Sequence, residues 1–401
     1  MKAGATIKET MRRQGRMDFV LLGTVIVLCV FGLVMVLSAS YYNCYQESGD
    51  GFRDFKRQLI YFILGFGVLM VASSLPYKVY QNKFVAGIFA LVAVALCIAV
   101  ILFGTSNYGA QRWLNVGGVT VQPSEIMKAA IVLVMSCFIA QYPQGVKKVR
   151  GFAILSVIFL LMVLPVLAQR NLSTLMILGG IYIAMIFIAN VPFKLIGVTL
   201  GLVLIAGVVL ALAEDYRVDR ITSFLNPWED AQETGYQLVQ SLVGIGSGGF
   251  FGTGLNFSRQ KLMFLPFPET DCIFAIIAEE LGFFGCLLLV AGYALLAIRG
   301  VRIALRCKRR FGSLLAGGIT ITICIQALVH IMVCLGLFPT TGQTLPFISS
   351  GGSSLIVFMG LAGILLNISR YDVANAVQYV RETKPAIPDN VVEIAAARQK
   401  E

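Results

Sequence analysis

Acidic side chains stand at and just inside the start of one long apolar run of this sequence. Asp271 precedes the run, and Glu279 and Glu280 follow two turns later within it. A carboxylate at membrane depth is costly unless it is paired or faces a polar cavity, so such groups indicate a functional site. Asp271 has a second interpretation as a helix N-cap, in which it or Thr270 accepts hydrogen bonds from the first free backbone N–H groups. The residues alone leave both interpretations open.

A second charged pair lies where another apolar run begins. The segment NYGAQRWLNVGGVTVQPSEIMK contains Arg112 and ends with Glu125 and Lys128. Pro123 and Ser124 indicate a helix start, so Glu125 and Lys128 stand three residues apart on one helix face and can pair. A lysine one turn inside an apolar helix is unusual without a function. We expect the pair to hold or line a substrate cavity, and a simple helix-end salt bridge is the alternative.

The longest polar segment between apolar runs covers residues 213–271. Connections of this length are usually functional or disordered. Its run YQLVQSLVGI has apolar side chains at the spacing of a short amphipathic helix suited to a membrane surface, at Tyr236, Val239, Leu242 and Val243. The glycines that follow, GSGG, are a weak phosphate-binding signal and are better interpreted as a turn.

The last polar segment before an apolar run, FPTTGQTLPFISSGGSS, has no charged residue. Its serines and glycines, Ser353 among them, stand where a helix begins. That position suits an anion site or merely a tight re-entrant turn. His330, the one histidine, lies inside the preceding apolar run and is interpreted as a packed or hydrogen-bonded helix residue.

The composition defines the elements that must position these residues. The chain has 401 residues, 57% hydrophobic and 13% charged, whereas a soluble domain carries about 25% charged residues. This excludes a soluble enzyme. The net charge of +11 does not indicate nucleic-acid binding, because Lys and Arg cluster in short segments between apolar runs. Nine cysteines without a CxxC motif, and a single histidine, indicate neither a disulfide framework nor a metal site.

Ten apolar runs predict transmembrane helices, because about 18 apolar residues are enough to span a bilayer. The sequence therefore predicts an all-α polytopic membrane protein with ten transmembrane helices and a large extracellular loop between helices 7 and 8. The ten runs are Phe19–Leu37, Leu59–Leu75, Phe84–Phe103, Ser124–Ala140, Gly151–Ala168, Leu172–Ala189, Leu195–Ala213, Cys272–Ile298, Leu314–Phe338 and Ser353–Ile368.

Basic residues orient these spans. With both termini in the cytoplasm, 22 of the 32 Lys and Arg residues fall on the cytoplasmic side, as the positive-inside rule requires. We therefore expect a multi-pass protein of the cytoplasmic membrane. Its predicted parts are a basic cytoplasmic tail (residues 1–17), a membrane domain (18–368) with 214–271 outside, and a cytoplasmic tail (369–401).

Six motifs follow one another along the chain: GAQRWLNVGGVTVQPSEIMK, QRNLST, RITSFLNPWED, GYQLVQSLVGIGSGGFFGTG, SRQKLMFLPFPETDCIFAIIAEELGFFG and FPTTGQTLPFISSGGSS. In this order they resemble the SEDS family (shape, elongation, division and sporulation) of ten-span peptidoglycan polymerases. They are similar to its division and sporulation branch more than to its elongation branch. Three positions depart from the family pattern: Phe267 replaces a glutamate, Cys272 an aromatic residue and His330 an asparagine.

The resemblance implies a peptidoglycan glycosyltransferase that polymerises lipid II into glycan strands for septal or spore-cortex wall, with undecaprenyl pyrophosphate as the leaving group. It implies Asp271 as the catalytic base for the attacking hydroxyl. Positive charge, from side chains or from a divalent cation such as Mg or Mn, would stabilise the departing pyrophosphate. No cofactor is otherwise expected. The positions matched to substrate contacts are Arg112, Glu125, Lys128, Arg220, Arg259, Lys261 and Ser353.

The same resemblance implies partners and leaves alternatives. A class B penicillin-binding protein is expected as the transpeptidase partner, together with proteins of the division or sporulation machinery, and no nucleic acid. A lipid II flippase is one alternative, which the intramembrane charges would suit but the missing internal repeat disfavours. A scaffold that only recruits a transpeptidase is the other.

Overall fold

Helices make up most of the chain in the computed structural model, which describes residues 15–107, 110–116, 119–212 and 215–371. Most of both predicted tails therefore lies outside the described residues. The helices are α1 (Phe19–Ser48), α2 (Arg53–Ser74), α3 (Lys83–Phe103), α4 (Pro123–Gln141), α5 (Val149–Ala168), α6 (Leu172–Ile188), α7 (Phe193–Leu212), α8 (Asp215–Leu225), α9 (Tyr236–Gly248), α10 (Ile273–Arg306), α11 (Arg310–Cys334) and α12 (Gly352–Ser369).

Each predicted span corresponds to one of these helices. Within the described residues, eight helices are long and apolar enough to cross a membrane, and α6 and α7 are shorter apolar helices. The chain is a polytopic membrane protein, as predicted. The count of ten spans stays a prediction.

Helix boundaries follow from local chemistry. The Asp18 carboxylate accepts from the N–H of Leu21 at 3.0 Å and so caps the start of α1. That helix ends at Gly49 in the left-handed conformation that glycine adopts without strain. Pro123 occupies the first turn of α4, where its missing N–H costs nothing. The Asn171 side chain accepts from the N–H of Thr174 and caps α6.

Burial separates central helices from peripheral ones. The apolar windows of α4, α11 and α12 are 72%, 67% and 67% buried, whereas those of α2, α10 and α3 are only 28%, 28% and 22% buried. The first three helices form the centre of the bundle. Polar side chains that they carry are therefore held among other helices and away from lipid.

A small sheet departs from the all-α prediction. Strands β1 (Thr105–Asn107), β2 (Ala110–Val116) and β3 (Val119–Val121) pair antiparallel in the order β1-β2-β3, between α3 and α4. Backbone pairing satisfies the polar groups of this connection. The sheet places Arg112 at the end of the bundle where α4 begins.

The helix predicted for YQLVQSLVGI exists as α9, but its packing was not predicted. Its buried residues include Leu238, Ser241 and Gly248, whereas Val243 is exposed. A Cβ at Gly248 would lie 2.0 Å from the carbonyl oxygen of Ala278 in α10. The helix therefore packs against α10 instead of lying with its apolar face on a membrane surface. The glycines permit this close approach.

The two ends of the bundle differ in what they carry. At one end, which we call the terminal end, the N–H of Gly15 donates to the carbonyl of Arg370 at 2.8 Å. We call the opposite end the site end. It carries the sheet, Asp271 before α10 and the segment 338–351 before α12.

Candidate functional site

Asp271 lies at the site end, directly before α10, and it does not cap that helix. The cap position is Cys272, and no side chain makes a capping hydrogen bond there. The N–H of Asp271 donates to the carbonyl of Phe267 at 3.2 Å, and the thiol of Cys334 donates to the Asp271 carbonyl at 3.8 Å. The carboxylate itself is therefore not used to start the helix, which removes the N-cap interpretation.

The electrostatic surroundings of Asp271 favour a carboxylate that takes up protons near neutral pH. Loss of surrounding water raises its pKa to about 6, against the lowering effect of the positive charges of Arg220 and Arg112. Burial also raises the pKa of the neighbouring Glu269, to about 7. At neutral pH Asp271 is thus mostly ionised and more basic than an exposed aspartate.

The positive charges of two predicted cationic residues, Arg112 and Arg220, lower the pKa of Asp271. The guanidinium of Arg112 on β2 donates to the carbonyl of Arg170 at 3.1 Å. The guanidinium of Arg220 on α8 donates to the carbonyl of Thr340 at 3.4 Å. The sheet, α8 and the segment 338–351 thereby bring both positive charges to the same end of the bundle as the carboxylate.

Lys128 and Glu125 form a buried ion pair, as predicted. The Lys128 ammonium lies 2.6 Å from the Glu125 carboxylate, and their side chains are 1% and 3% exposed. The ammonium also donates to the side-chain oxygens of Gln326 on α11 and Gln343 before α12. The second Glu125 oxygen is buried and has no hydrogen-bond partner among the described residues. The pair therefore keeps one acceptor that no described group of the protein satisfies.

The segment 338–351 connects this pair to Asp271. The Gln343 side chain contacts Lys128 at 3.3 Å, and a Cβ placed on the preceding Gly342 would lie 3.4 Å from an Asp271 carboxylate oxygen. One imidazole nitrogen of His330 lies 2.7 Å from the Gln343 carbonyl, which fits the prediction that this histidine is a hydrogen-bonded helix residue. The uncharged segment thus forms a polar wall between the carboxylate and the lysine.

Ser353 and Arg259 have different surroundings. The Ser353 hydroxyl is buried and accepts from the N–H of Gln122 at 3.1 Å, next to the start of α4. The Arg259 side chain is exposed, while its backbone N–H donates to Glu279 at 2.8 Å. Substrate contact by either side chain stays a prediction.

The ammonium of Lys261 forms a buried ion pair with Glu280. It lies 2.8 Å from a Glu280 oxygen, and the two side chains are only 4% and 0% exposed. It also donates to Ser38 at 3.0 Å and Asn256 at 2.6 Å. This arrangement disfavours the direct substrate contact that the sequence predicted for Lys261. The reason is that residues 249–261 fold against α10 instead of extending over the site.

Sequence reasoning assigned no role to several polar residues of the site. Gln343 joins Lys128 to Thr174, whose hydroxyl accepts from the Gln343 amide at 3.1 Å, and Gln326 holds the same ammonium from α11. The motifs QRNLST and FPTTGQTLPF contain Thr174 and Gln343. The uncharged amides and hydroxyls inside these motifs were the sequence signal that could have identified such residues.

The described residues offer no set of ligands for the divalent cation that the family resemblance implies. The described residues contain no group of three or more His, Cys, Asp or Glu side chains that could hold a metal ion. The charged neighbours of Asp271 include two arginines, which are not metal ligands, and one carboxylate, that of Glu269. The residues present do not fit a protein-only metal site, and we derive no step through a metal.

Comparison with known proteins covers nearly the whole chain. The family described as "Cell cycle protein" (FtsW, RodA and SpoVE) matches residues 19–374. A Geobacter metallireducens protein named probable peptidoglycan glycosyltransferase FtsW is 38% identical, over 90% of this chain and 97% of that protein. Stage V sporulation protein E of Bacillus subtilis is 39% identical, over 88% of this chain and 97% of that protein.

Solved structures share the fold. A chain from a peptidoglycan synthase complex, described as coordinating polymerisation and crosslinking, has a TM-score of 0.74 and 25% identity, with 88% of this chain and 98% of that chain covered. The rod shape determining protein RodA of Thermus thermophilus has a TM-score of 0.65 and 23% identity, with 89% of this chain and 98% of that chain covered. The second likeness concerns the fold alone.

Proposed function

The chain belongs to the FtsW, RodA and SpoVE family of cell cycle proteins, and we propose from this premise that it is a peptidoglycan glycosyltransferase acting on lipid II. The relatives named as peptidoglycan glycosyltransferases match it over about nine tenths of its length. The observation that carries the residue-level proposal is the juxtaposition of a basic Asp271 carboxylate with Arg112 and Arg220.

The arrangement suits glycosyl transfer from a lipid diphosphate. A sugar hydroxyl of the acceptor attacks the anomeric carbon of the donor, and the Asp271 carboxylate takes up the hydroxyl proton. The bond between the anomeric carbon and the pyrophosphate oxygen breaks, and undecaprenyl pyrophosphate leaves. Arg112 and Arg220 supply positive charge that stabilises the developing negative charge.

Lys128 and Glu125 form the second part of the proposed site. Their buried pair is joined to the segment 338–351 through Gln343. The free acceptor oxygen of Glu125 suits an N–H or O–H group of a sugar headgroup. We assign substrate binding to this pair, with Ser353 and Arg259 as further predicted contacts.

The site end is the outer face in this proposal. Lipid II presents its headgroup outside, and the basic residues of the sequence favour the terminal end as the cytoplasmic side. A class B penicillin-binding protein is the proposed partner, since one structural relative comes from a peptidoglycan synthase complex. Division or sporulation is the proposed setting, as the names of the relatives indicate.

The flippase and scaffold alternatives have less support. The intramembrane charges that suited a headgroup path are paired inside the protein, Lys128 with Glu125 and Glu280 with Lys261. Purified protein in detergent with lipid II separates the three functions, because detergent removes transport. The proposal predicts glycan polymer, whereas a flippase or a scaffold predicts none.

A further inference from the structure

Helix α10 is interrupted at Gly282, and residues 249–254 of the long loop between α7 and α10 pack against the interruption. Gly282 has φ of +65°, and a Cβ there would lie 2.3 Å from the N–H nitrogen of Gly252. Interrupting a helix frees backbone donors and acceptors that must find new partners. Residues 249–254 supply them: the carbonyls of Gly249 and Phe250 accept from Phe283 and Phe284, and the N–H groups of Thr253 and Gly254 donate to Glu279 and Glu280.

The Glu279 side chain binds the next part of the loop. Its carboxylate is 1% exposed and accepts from the hydroxyl of Ser258. It also accepts from the backbone N–H of Arg259 at 2.8 Å and of Gln260 at 3.4 Å. Hydrogen bonds to a buried carboxylate are strong. The loop is therefore fixed to α10 by side-chain contacts as well as by backbone contacts.

The Glu280 side chain binds Lys261. The carboxylate lies 2.8 Å from the ammonium, and the hydroxyl of Ser38 on α1 donates to it at 2.7 Å. The ammonium has further contacts with Ser38 and Asn256. Removing one partner of such a buried pair would leave an uncompensated charge. The pair thus joins the loop, α1 and α10 at one point.

Asp271 lies near the middle of the segment that this pair closes. Lys261 and Glu280 are nineteen residues apart, and Asp271 stands between them, ten residues after the lysine. In addition to the ion pair, the N–H of Leu265 donates to the carbonyl of Gln260 at 2.8 Å. The Ser349 hydroxyl donates to the carbonyl of Thr270 at 2.7 Å. The segment consists of an irregular stretch followed by the first turns of α10. The ion pair holds its two ends together, and the segment 338–351 holds its middle.

We propose that Lys261 and Glu280 are positioning residues for glycosyl transfer: their buried ion pair closes the base of residues 261–280 and so holds Asp271 in its partly buried place at the site end. The inference rests on the proposed function and adds to it a role for two residues that do not touch the reacting atoms. It also gives Lys261 a role other than substrate binding.

The pKa of Asp271 reports how tightly the segment is held, and it depends on the charged and titratable groups around this carboxylate. They are Arg112 on β2, Arg220 on α8, Glu269 in the same segment and Cys334 on α11. Burial is the largest influence on Asp271 and raises its pKa from 3.8 to about 6. A loosened segment admits water to the carboxylate, and its pKa then falls toward that of an exposed aspartate. Water also screens the arginines and weakens their lowering effect, but burial is the larger influence, so the net change is a fall in the pKa.

The test uses the full chain with the double substitution Lys261→Met and Glu280→Gln, which removes the ion pair without leaving a buried charge unpaired. Rates of lipid II polymerisation are measured against pH and substrate concentration. We expect kcat to fall about 10- to 100-fold with KM nearly unchanged, because the base is misplaced by about 1 Å or less. The acid limb of the pH profile should move from near pH 6 toward pH 4.

Two further variants separate positioning from general stability. Ser38→Ala removes the hydroxyl that donates to Glu280 and accepts from Lys261, but removes no charge. A smaller shift in the same direction is expected even if the double variant fails to fold. Arg299→Gln breaks the partly buried ion pair with Asp18 at the terminal end, where the two charges lie 2.6 Å apart. That control should lower the melting temperature and leave the pH limb in place.

Hydrogen exchange of residues 262–271 gives a readout that needs no activity. Faster exchange in the double variant, with the wild-type rate in Arg299→Gln, supports the proposal. Unchanged exchange and an unmoved acid limb in a folded double variant overturn the proposal, even if the protein yield falls. If the double variant does not fold, the same result in Ser38→Ala overturns it. If the wild-type protein makes no polymer, the proposed function fails, and the exchange comparison alone decides the role of the ion pair.

Discussion

Lys128 donates a hydrogen bond to Glu125 across 2.6 Å on the buried face of α4, in the most buried of the spanning helices. Two glutamine side chains from α11 and the segment 338–351 accept from the same ammonium. A charge pair at the centre of the bundle is expensive to desolvate. Because the pair lies beside the segment 338–351, which also approaches Asp271, substrate binding is the function proposed for it.

Removing the lysine should abolish polymerisation. Lys128→Ala is expected to lose polymerase activity while the protein stays inserted in the membrane. Because an unpaired buried charge costs about 3–5 kcal/mol, the double variant Lys128→Met with Glu125→Gln serves as the folding-matched test and should be equally inactive. Lys56→Gln, which breaks the exposed pair with Asp50, is the control and should keep full activity. A fully active double variant would reduce the buried pair to a helix-end salt bridge.

The rate of polymerisation should depend on the protonation of Asp271. Burial raises the pKa of this carboxylate to about 6, so the base is protonated and inactive below that pH. We expect kcat/KM to be half-maximal near pH 6 and to fall roughly tenfold per pH unit below it. Glu269→Gln removes the neighbouring carboxylate whose pKa is about 7 and should leave a limb near pH 6. If the acid limb disappears in Glu269→Gln, the limb reports the protonation of Glu269 and not of Asp271, and the prediction is wrong.

Thiol labelling tests the orientation. Gln232 lies exposed in the long loop at the site end, and Gln144 lies exposed between α4 and α5. A cysteine at position 232 should react with an impermeant thiol reagent in intact cells after permeabilisation of the wall. A cysteine at position 144 should react only after lysis. The reverse pattern would contradict a cytoplasmic terminal end.

A class B penicillin-binding protein should co-purify with the chain from native membranes. Its single transmembrane helix is expected on α10 or α11. The α10 surface is only 28% buried, and Leu288 on it is 59% exposed. Leu288→Trp should weaken co-purification, whereas Val198→Trp on the exposed face of α7 should not. Recovery of the wild-type chain alone in mild detergent would count against a stable complex.

Hydropathy alone was enough to predict where the ten apolar helices lie, although it did not predict α8 in the long polar segment. Each of the ten apolar runs became one helix, because burial of apolar side chains in lipid decides helix position. The ends moved where polar residues continue a helix. For example, α10 continues past the predicted end at Ile298, through Arg299, to Arg306.

Contacts between distant segments were beyond the reach of the sequence pattern. The Lys261–Glu280 pair joins residues nineteen positions apart and exists because α10 breaks at Gly282 and admits the loop. The sheet is short and carries no clear alternation of apolar residues, so no strand was predicted. Glu125 and Lys128 were singled out because charged residues inside membrane-spanning segments are rare. The catalytic role of Asp271 was implied by the family resemblance, since the residues alone also allowed a helix cap.

Asp271→Asn tests most directly whether Asp271 is the catalytic base. Asparagine keeps the size of the side chain but cannot take up the acceptor's proton, and α10 does not depend on this residue for a cap. Loss of a base commonly costs about 10²–10⁴-fold in rate. Purified variant with lipid II in detergent should give glycan product below detection on a gel, with membrane level, melting temperature and partner binding near those of the wild type. Near-normal polymer from a folded Asp271→Asn protein would contradict the account.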